Sequence, residues 1–594
     1  MRLGTEAACP GAALIVVLTA ALGGAFWPGQ RLVVGVALVG LWMLAAWRWT
    51  GGPDRVEAWL AALLGWSFLS ALWVGAAPLR SKETIATWVI AFALWAIVRR
   101  ASPQERTSAL RILAAGAALV ASAIFVDSLA VGQIRVGGLL ENPNLAAALL
   151  LPTLPLGWVG IGPRLRLAWA GLVAAGLVLT GSRAGFLALV VMAAVVLPRG
   201  RLRTVGTAAA GALALAVLVW RFISQPDLLA WHRMAIWQAV LEIWARRPVT
   251  GVGPGSLVEA AGVERILHPG QVGRYQFVVS YAESTPLAVL VQLGLVGLGL
   301  AVVAAVLWLL AVRSAGALDQ PAVRAALAGA AVFALFHDLL TADPVLWWWA
   351  VLAGAVERPL GAGTEGAATE RASAGVRWLL GLAMAWLTAW GLLAPAHARV
   401  LWRGSPATAD AVERVLRVEP WFDEAPAGRV VELLAATDRW SWTDAAEALH
   451  WAEVARRTHP GLARRWADVG RVRIRIVTDL GGTKHDVEAA ESALGRACAL
   501  DPHLPWTWLE RARLARVTGE HEAAIGFARR ALDEEPNTVR GWLLLARLEA
   551  ELGRTQAARL ALSEAEHRLD LVNRPGLTDY ERELLSPSGA AVDR

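Results

Sequence analysis

Three charged residues lie where a charge needs an explanation. Glu283, in the stretch YAESTPLAVLVQLGLVGLGL, stands at the start of a long apolar run. There it is either an ordinary acid at a helix start, next to Pro286, or a working carboxylate. Arg233 begins a predicted amphipathic helix in the stretch WHRMAIWQAVLEIWARRPVTGVGPGS, whose apolar stripe is Met234, Trp237, Val240, Leu241 and Trp244. The helix dipole disfavours a cation at this position, and this indicates a bound anion. Arg183, in a short turn between two apolar runs, is either a snorkelling anchor or an anion ligand.

Further candidates lie at similar places along the chain. Asn144 follows Asn142-Pro143, which also predicts a simple helix cap. His337 ends another apolar run, and ionisable groups at such ends are functional candidates. The glycines of GVGPGS after the predicted helix are only a weak phosphate-binding signal, because no strand precedes them.

The elements that hold these residues are apolar segments long enough to cross a bilayer. The chain has 594 residues, of which 56% are hydrophobic and 18% charged, and it predicts an all-α, polytopic membrane protein with about 12–13 transmembrane helices. The predicted spans are 11–27, 32–47, 58–77, 84–98, 108–126, 144–162, 167–181, 184–198, 204–220, 286–312, 322–340, 344–356 and 378–394. A nucleic-acid-binding surface is not indicated, because the basic excess lies in the membrane half.

The charges of the short loops predict the orientation. One side holds 16 Lys and Arg residues, whereas the other holds five. Those five are Arg31, Arg80, Lys82, Arg135 and Arg183. We expect the protein to lie in the bacterial cytoplasmic (inner) membrane. Because basic loops stay in the cytoplasm, the loop 221–285 is expected on the outer side of that membrane. The C-terminal domain is then also outside, on the periplasmic side, provided that 378–394 spans the membrane.

The C-terminal part repeats itself with a period of 34 residues. Asp501-Pro502, Trp508, Leu514, Gly519 and Ala524 recur at Glu535-Pro536, Trp542, Leu548, Gly553 and Ala558. This is the period of the tetratricopeptide repeat, whose helix pairs stack into a solenoid that presents a surface to a protein partner. We therefore expect a membrane domain over 1–375, an additional transmembrane helix over 376–396, and a helical-repeat domain over 397–594.

The motifs in chain order resemble one known family. GGLLENPN, TGSRAG, HRMAIWQAVLEIWARRPVTGVGPGS and AESTPLAVLVQLGLVGL are similar to the O-antigen ligase and polymerase family of bacterial membrane glycosyltransferases. The resemblance extends over about residues 30–360. It implies that a glycan is transferred from a polyprenyl-diphosphate carrier to a glycan, lipid or protein acceptor at the outer face of the membrane, without a metal or other cofactor.

The resemblance also implies roles for residues. Arg183 and Arg233 match the arginines of the family and are expected to stabilise the diphosphate leaving group. Glu283 stands where the family usually has a histidine, and Gln292 where it often has a glutamate. We expect Glu283 to act as the base toward the acceptor. Asn144, Arg274, Ser284 and His337 are expected to contact substrate.

Two other classes of protein remain open. A non-catalytic scaffold that presents the helical repeats is compatible with the missing histidine. A lipid or glycan transporter is less compatible, because no internal repeat relates the spans and their centres carry almost no charge. Ligase, polymerase and protein-glycosylating members share these motifs, so the sequence does not separate them.

Overall fold

A computed structural model of the chain shows an all-α protein. It describes residues 7–25, 27–45, 54–133, 135–196, 200, 204–209, 211–212, 215–216, 219, 232–267, 272–275, 277–357, 374–435, 439–573 and 577–586. The structure is 81% helical. Within those ranges, the extended backbone amounts to one isolated bridge between Ile266 and Phe277.

Apolar helices coincide with the predicted spans. In chain order they are α1 Ala8–Ala21, α2 Pro28–Ala45, α3 Arg55–Val74, α4 Pro78–Arg99, α5 Pro103–Val131, α6 Pro143–Gly160, α7 Arg166–Leu179 and α8 Arg183–Val196. Next come the amphipathic helix α9, His232–Ala245, and the short helix α10, Leu257–Ala260. The remaining apolar helices are α11 Thr285–Ser314, α12 Pro321–Phe336, α13 Asp343–Val356 and α14 Ala374–Thr388. Helix α14 runs on through a π-helical turn into α15, Ala394–Arg403.

Seven of these helical segments are long and apolar enough to cross a membrane, and five more are shorter apolar helices, counted over the described part of the chain. The protein is therefore a multi-pass membrane protein. The segment Trp378–Arg403 is one of the seven, as the predicted last span requires. Of the predicted span 204–220, the structure describes residues 204–209, 211–212, 215–216 and 219, which are helical.

Salt bridges join the helices at each end of the bundle. At one end, Arg31 of α2 contacts Glu83 of α4 at 3.0 Å and Asp343 of α13 at 3.2 Å. At the opposite end, Arg99 of α4 pairs with Glu57 and Glu357. The first end also carries the segment 232–284, and we call it the loop face.

A kink in α11 explains the glycine-rich segment 251–255. At Gly294 the backbone has φ 67° and ψ −168°, so the helix is broken there. The amides of Val252 and Gly253 donate to the carbonyls of Val291 and Gln292, each at 2.9 Å, and the amide of Gly255 donates to Gln292 Oε1 at 2.9 Å. These amides saturate the carbonyls of the broken helix and are not available to cradle a phosphate.

Helix α9 lies on the loop face and packs against α11. Ala239, Val240 and Ile243 are buried, whereas Met234 and Leu241 remain exposed. The predicted amphipathic helix is therefore present, but its buried stripe differs from the predicted one. The buried residues face the loop segment and α11, so packing within the protein selects the stripe.

A helical solenoid follows the membrane helices. Its helices are α16 Ala409–Val418, α17 Glu424–Ala435, α18 Trp442–Thr458, α19 Ala463–Leu480, α20 Lys484–Leu500, α21 Pro505–Val517, α22 His521–Glu534, α23 Val539–Glu551, α24 Thr555–Leu569 and α25 Asp579–Leu585. Trp466, Trp508 and Trp542 each donate their indole N–H to the carbonyl of the proline six residues earlier, at 2.7–2.8 Å. This shared contact shows why Pro and Trp recur together.

The solenoid docks on the loop face. Lys82 at the start of α4 forms a buried ion pair with Glu419, and Glu83 pairs with Arg399. Arg265 of the loop segment pairs with Asp501. The imidazole of His459 lies between Glu259 at 3.1 Å and Asp423 at 3.3 Å. The solenoid and the loop segment therefore share one side of the membrane domain.

This docking contact is expected to weaken in base. Burial alone lowers the pKa of His459, but its hydrogen bonds to Asp423 and Glu259 raise that pKa to about 8. The protonated imidazole therefore stabilises the contact by about 2 kcal/mol, and this stabilisation is complete below pH ~6.5. It is lost as the pH rises through ~8 and the imidazole loses its proton. The protection factor for hydrogen exchange in α10, which corrects for the base-catalysed intrinsic rate, is therefore expected to be lower at pH 9 than at pH 6. Equal pH dependence in His459→Gln would contradict this assignment.

Candidate functional site

The loop segment and α11 bring two predicted catalytic residues into contact. Arg233, at the start of α9, donates from Nη2 to Glu283 Oε2 at 3.3 Å. Glu283 precedes the N-cap Ser284 and has φ 51°, in the left-handed region that non-glycine residues seldom occupy. Such strain is typical of functional positions. Glu283 therefore faces Arg233 instead of serving as an ordinary acid in the first helical turn.

His337 completes this contact from a distant part of the chain. It lies just after α12, in the connection to α13 and outside both helices. Its Nε2 lies 3.5 Å from Arg233 Nη2, and its Nδ1 lies 3.7 Å from Glu283 Oε2. Thr285 fixes the position, since its hydroxyl donates to the His337 carbonyl at 2.7 Å. Burial, followed by the charges of Arg233 and Arg183, lowers the pKa of His337 to about 3, so its imidazole is neutral.

The guanidinium groups of Arg183 and Arg135 act electrostatically on Arg233. Burial lowers the pKa of Arg233, the Glu283 carboxylate opposes this shift, and Arg183 and Arg135 add to it. Arg183 begins α8 directly after the turn at Gly181, and the amide of Arg135 donates to the Leu179 carbonyl of the same turn at 2.8 Å. The cluster of Arg135, Arg183, Arg233, Glu283 and His337 is called the charged cluster below.

Arg135 is a site residue that the sequence reasoning missed. Its only sequence signal is a basic residue on a side where basic residues are sparse. In the structure it has φ 78°, a strained conformation for a non-glycine residue. With three guanidinium charges, one carboxylate and a neutral imidazole, the charged cluster has an excess of two positive charges.

The other predicted substrate contacts are dispersed. The amide of Asn144 donates to Asn142 Oδ1 at 2.9 Å, in the cap that begins α6. Ser284 is buried beside Glu283 and its side chain makes no capping hydrogen bond. Arg274 contacts the solenoid instead, where it donates to the Asp533 carbonyl at 3.3 Å. Of these three residues, only Ser284 adjoins the charged cluster directly.

An apolar cavity of about 630 Å³ lies within the membrane domain and reaches the charged cluster at Thr285, whose hydroxyl contacts the His337 carbonyl. Thr285 and Leu340 line its end near the cluster, and Val356, at the end of α13, lines its far end. The indole rings of Trp88 and Trp308 form part of the wall. The arrangement thus joins a cationic polar site to an apolar cavity that runs along the membrane helices.

Fold and site together define a multi-pass helical membrane protein with a charged site on the loop face and a helical-repeat domain docked beside it. Residues 168–302 match the family model described as O-antigen ligase, and residues 505–548 match a tetratricopeptide repeat. The predicted resemblance is confirmed, and the matches indicate an O-antigen ligase-type region joined to a protein-interaction domain. The first match contains Arg183, Arg233 and Glu283, whereas Arg135 and His337 lie outside it.

Comparison with curated proteins gave no match. Among solved structures, the chain is similar to one described as the crystal structure of MamA, with 17% identity, 27% of this chain and 86% of that chain covered, and a TM-score of 0.23. A second is MamA 41-end from Desulfovibrio magneticus RS-1, with 12% identity, 31% and 96% coverage, and a TM-score of 0.25.

Proposed function

We propose that the protein transfers a glycan from a polyprenyl-diphosphate carrier to an acceptor hydroxyl or amide at the outer face of the bacterial cytoplasmic membrane. The observation that carries this proposal is the charged cluster at the end of an apolar cavity. A polyprenyl-diphosphate glycan has this combination of an apolar chain and a diphosphate. The loop face, with the solenoid, is then the outer, periplasmic side, as the distribution of basic loops indicates.

The charges of the cluster suit the leaving group. A diphosphate joined to a lipid at one end and a sugar at the other carries two negative charges, equal to the positive excess of the cluster. When the glycosidic bond breaks, the diphosphate oxygen gains further negative charge. Arg183 and Arg233 are placed to stabilise that charge, and guanidinium groups can do so through paired hydrogen bonds.

Two groups compete for the role of base. Glu283 is the residue at the position matched to the family, but it already contacts Arg233. His337 is neutral and adjoins both residues, although burial and, to a smaller extent, the nearby cations lower its pKa. A bound diphosphate would offset those cations and raise that pKa toward a value suited to proton abstraction. We therefore assign proton abstraction from the acceptor to the Glu283–His337 pair.

Native mass spectrometry of protein extracted gently from its host tests the donor. We expect a bound polyprenyl-diphosphate glycan on the unmodified protein and its loss from Arg183→Ala and Arg233→Ala. Glu283→Gln is expected to keep the ligand and lose turnover. If the host makes such a lipid and the unmodified protein carries none, the scaffold alternative gains and the transferase proposal fails.

A further inference from the structure

A second, polar cavity lies beside the charged cluster on the loop face. It has a volume of about 410 Å³, within the range that holds small-molecule ligands. It is lined by the starts of α2, α4 and α13, by α10, and by residues of the segments 280–281 and 338–341. We call it the polar chamber. Tyr281 lies two residues before Glu283, and Asp338 directly follows His337, so the chamber adjoins the charged cluster.

Asp338 provides an unsatisfied group in this chamber. It is 8% exposed, and its Oδ1 accepts from the Leu340 amide at 3.1 Å. Its Oδ2 is buried and makes no hydrogen bond of standard geometry within the described residues, although the amides of Ala282 and Thr341 also lie close enough to act on the carboxylate. A buried oxygen without a partner costs free energy comparable to a lost hydrogen bond. A ligand hydroxyl in the chamber would supply that partner.

The charges of the lining indicate a neutral ligand. The lining contains two basic residues, Arg31 and Arg80, and three acidic residues, which are Glu83, Asp338 and Asp343. It therefore has no positive excess that would retain an anion. Glu83 and Asp343 are already paired with Arg31, and a single remaining carboxylate is too few ligands for a cation site.

The remaining lining groups suit a polyhydroxy compound. Thr84 and Thr341 offer hydroxyl groups. The hydroxyls of Thr87 and Ser280 donate to Asp343 and to the Val278 carbonyl, so they offer acceptor oxygens, and Gln292 offers its amide nitrogen. Tyr281 lines the chamber and is 56% exposed, so its ring extends from the chamber to solvent. Such a ring combines an apolar face with a polar tip, which matches the apolar and hydroxylated faces of a sugar.

We propose that the polar chamber binds a neutral, hydroxyl-rich carbohydrate, with Asp338 Oδ2 hydrogen-bonded to one of its hydroxyl groups. That this carbohydrate is the acceptor of glycan transfer rests on the proposed function. The short connections from Tyr281 to Glu283 and from Asp338 to His337 then place the acceptor next to the donor diphosphate.

The test uses the full-length protein in detergent and neutral oligosaccharides released by mild acid from the host cell envelope. Retained sugars and retained polyprenyl lipid are measured in the same native mass spectra. We expect the unmodified protein to retain an oligosaccharide and Asp338→Ala to retain about tenfold less, the loss for one hydrogen bond to a charged group. Val258→Trp, which fills the chamber from α10, should have a similar effect without changing the carboxylate.

Val249→Trp is the matched control, because Val249 is exposed and does not line the chamber. It is expected to retain the sugar. The chamber proposal is overturned if the unmodified protein retains no neutral oligosaccharide, or if Val258→Trp retains as much. If the unmodified protein retains the sugar but carries no polyprenyl lipid, the proposed function is overturned and the carbohydrate assignment of the chamber stands.

Discussion

Arg233→Ala is expected to lower the rate of glycan transfer by about 10²–10³-fold, the usual effect of removing one donor that stabilises developing negative charge. The substitution removes the group that contacts both Glu283 and His337. It also halves the positive excess of the charged cluster. The measurement is transfer from the host's purified polyprenyl-diphosphate glycan in proteoliposomes.

Two variants separate this effect from damage to α9. Arg233→Lys keeps the charge but not the paired hydrogen-bond geometry, so an intermediate rate is expected. Arg246→Ala removes an arginine from the turn that follows the same helix, where it pairs with Glu264, and it should leave transfer nearly unchanged. A rate for Arg233→Ala within about threefold of the unmodified protein would contradict the role given to this guanidinium.

Lys82→Ala is expected to destabilise the docked solenoid by about 3–5 kcal/mol, because it leaves Glu419 as a buried charge without its partner. The side chains of Lys82 and Glu419 are 5% and 0% exposed. Lys82 also lies over the ring of Trp390, at 4.9 Å from its centroid. The measurement is thermal unfolding together with the rate of proteolysis between the last membrane helix and α16.

A double substitution and a surface pair provide the controls. Lys82→Met combined with Glu419→Leu removes both charges, so most of the stability should return. Arg417→Ala breaks an exposed pair with Glu413 on the same helix, where the side chains are 76% and 56% exposed, and should have little effect. If Lys82→Ala unfolds like Arg417→Ala, the buried pair is not what holds the solenoid in place.

The two proposals place the donor diphosphate at the charged cluster and the acceptor in the polar chamber, so both substrates and the solenoid lie on the loop face. The tetratricopeptide match indicates a protein-interaction domain, and its contacts to α10 through His459 and to Arg265 tie it to the loop segment. The solenoid therefore lies beside α10, which also lines part of the polar chamber. This arrangement supports the expectation that the repeats recruit an acceptor or a processing partner.

The sequence by itself determined the elements. Hydropathy is a local property, so apolar runs of sufficient length predicted the membrane helices, including Trp378–Arg403. The 34-residue period likewise predicted the paired helices of 505–569, because each repeat forms the same local contact between Pro and Trp. Arg183, Arg233 and Glu283 were predicted as site residues for a similar reason, since each is a charge at a place where the local sequence does not favour one. Those places are a turn between apolar runs, the start of a helix and the start of an apolar run.

Only the tertiary structure decided how these elements meet. His337 and Arg233 are 104 residues apart and Arg265 and Asp501 are 236 apart, and no local pattern encodes such contacts. The glycines of 251–255 were only a weak phosphate-binding signal in the sequence, and in the structure the amides of this segment saturate the kink at Gly294. Burial of a polar group such as Asp338 is likewise a property of the packed molecule, because it depends on which helices and loops surround the side chain.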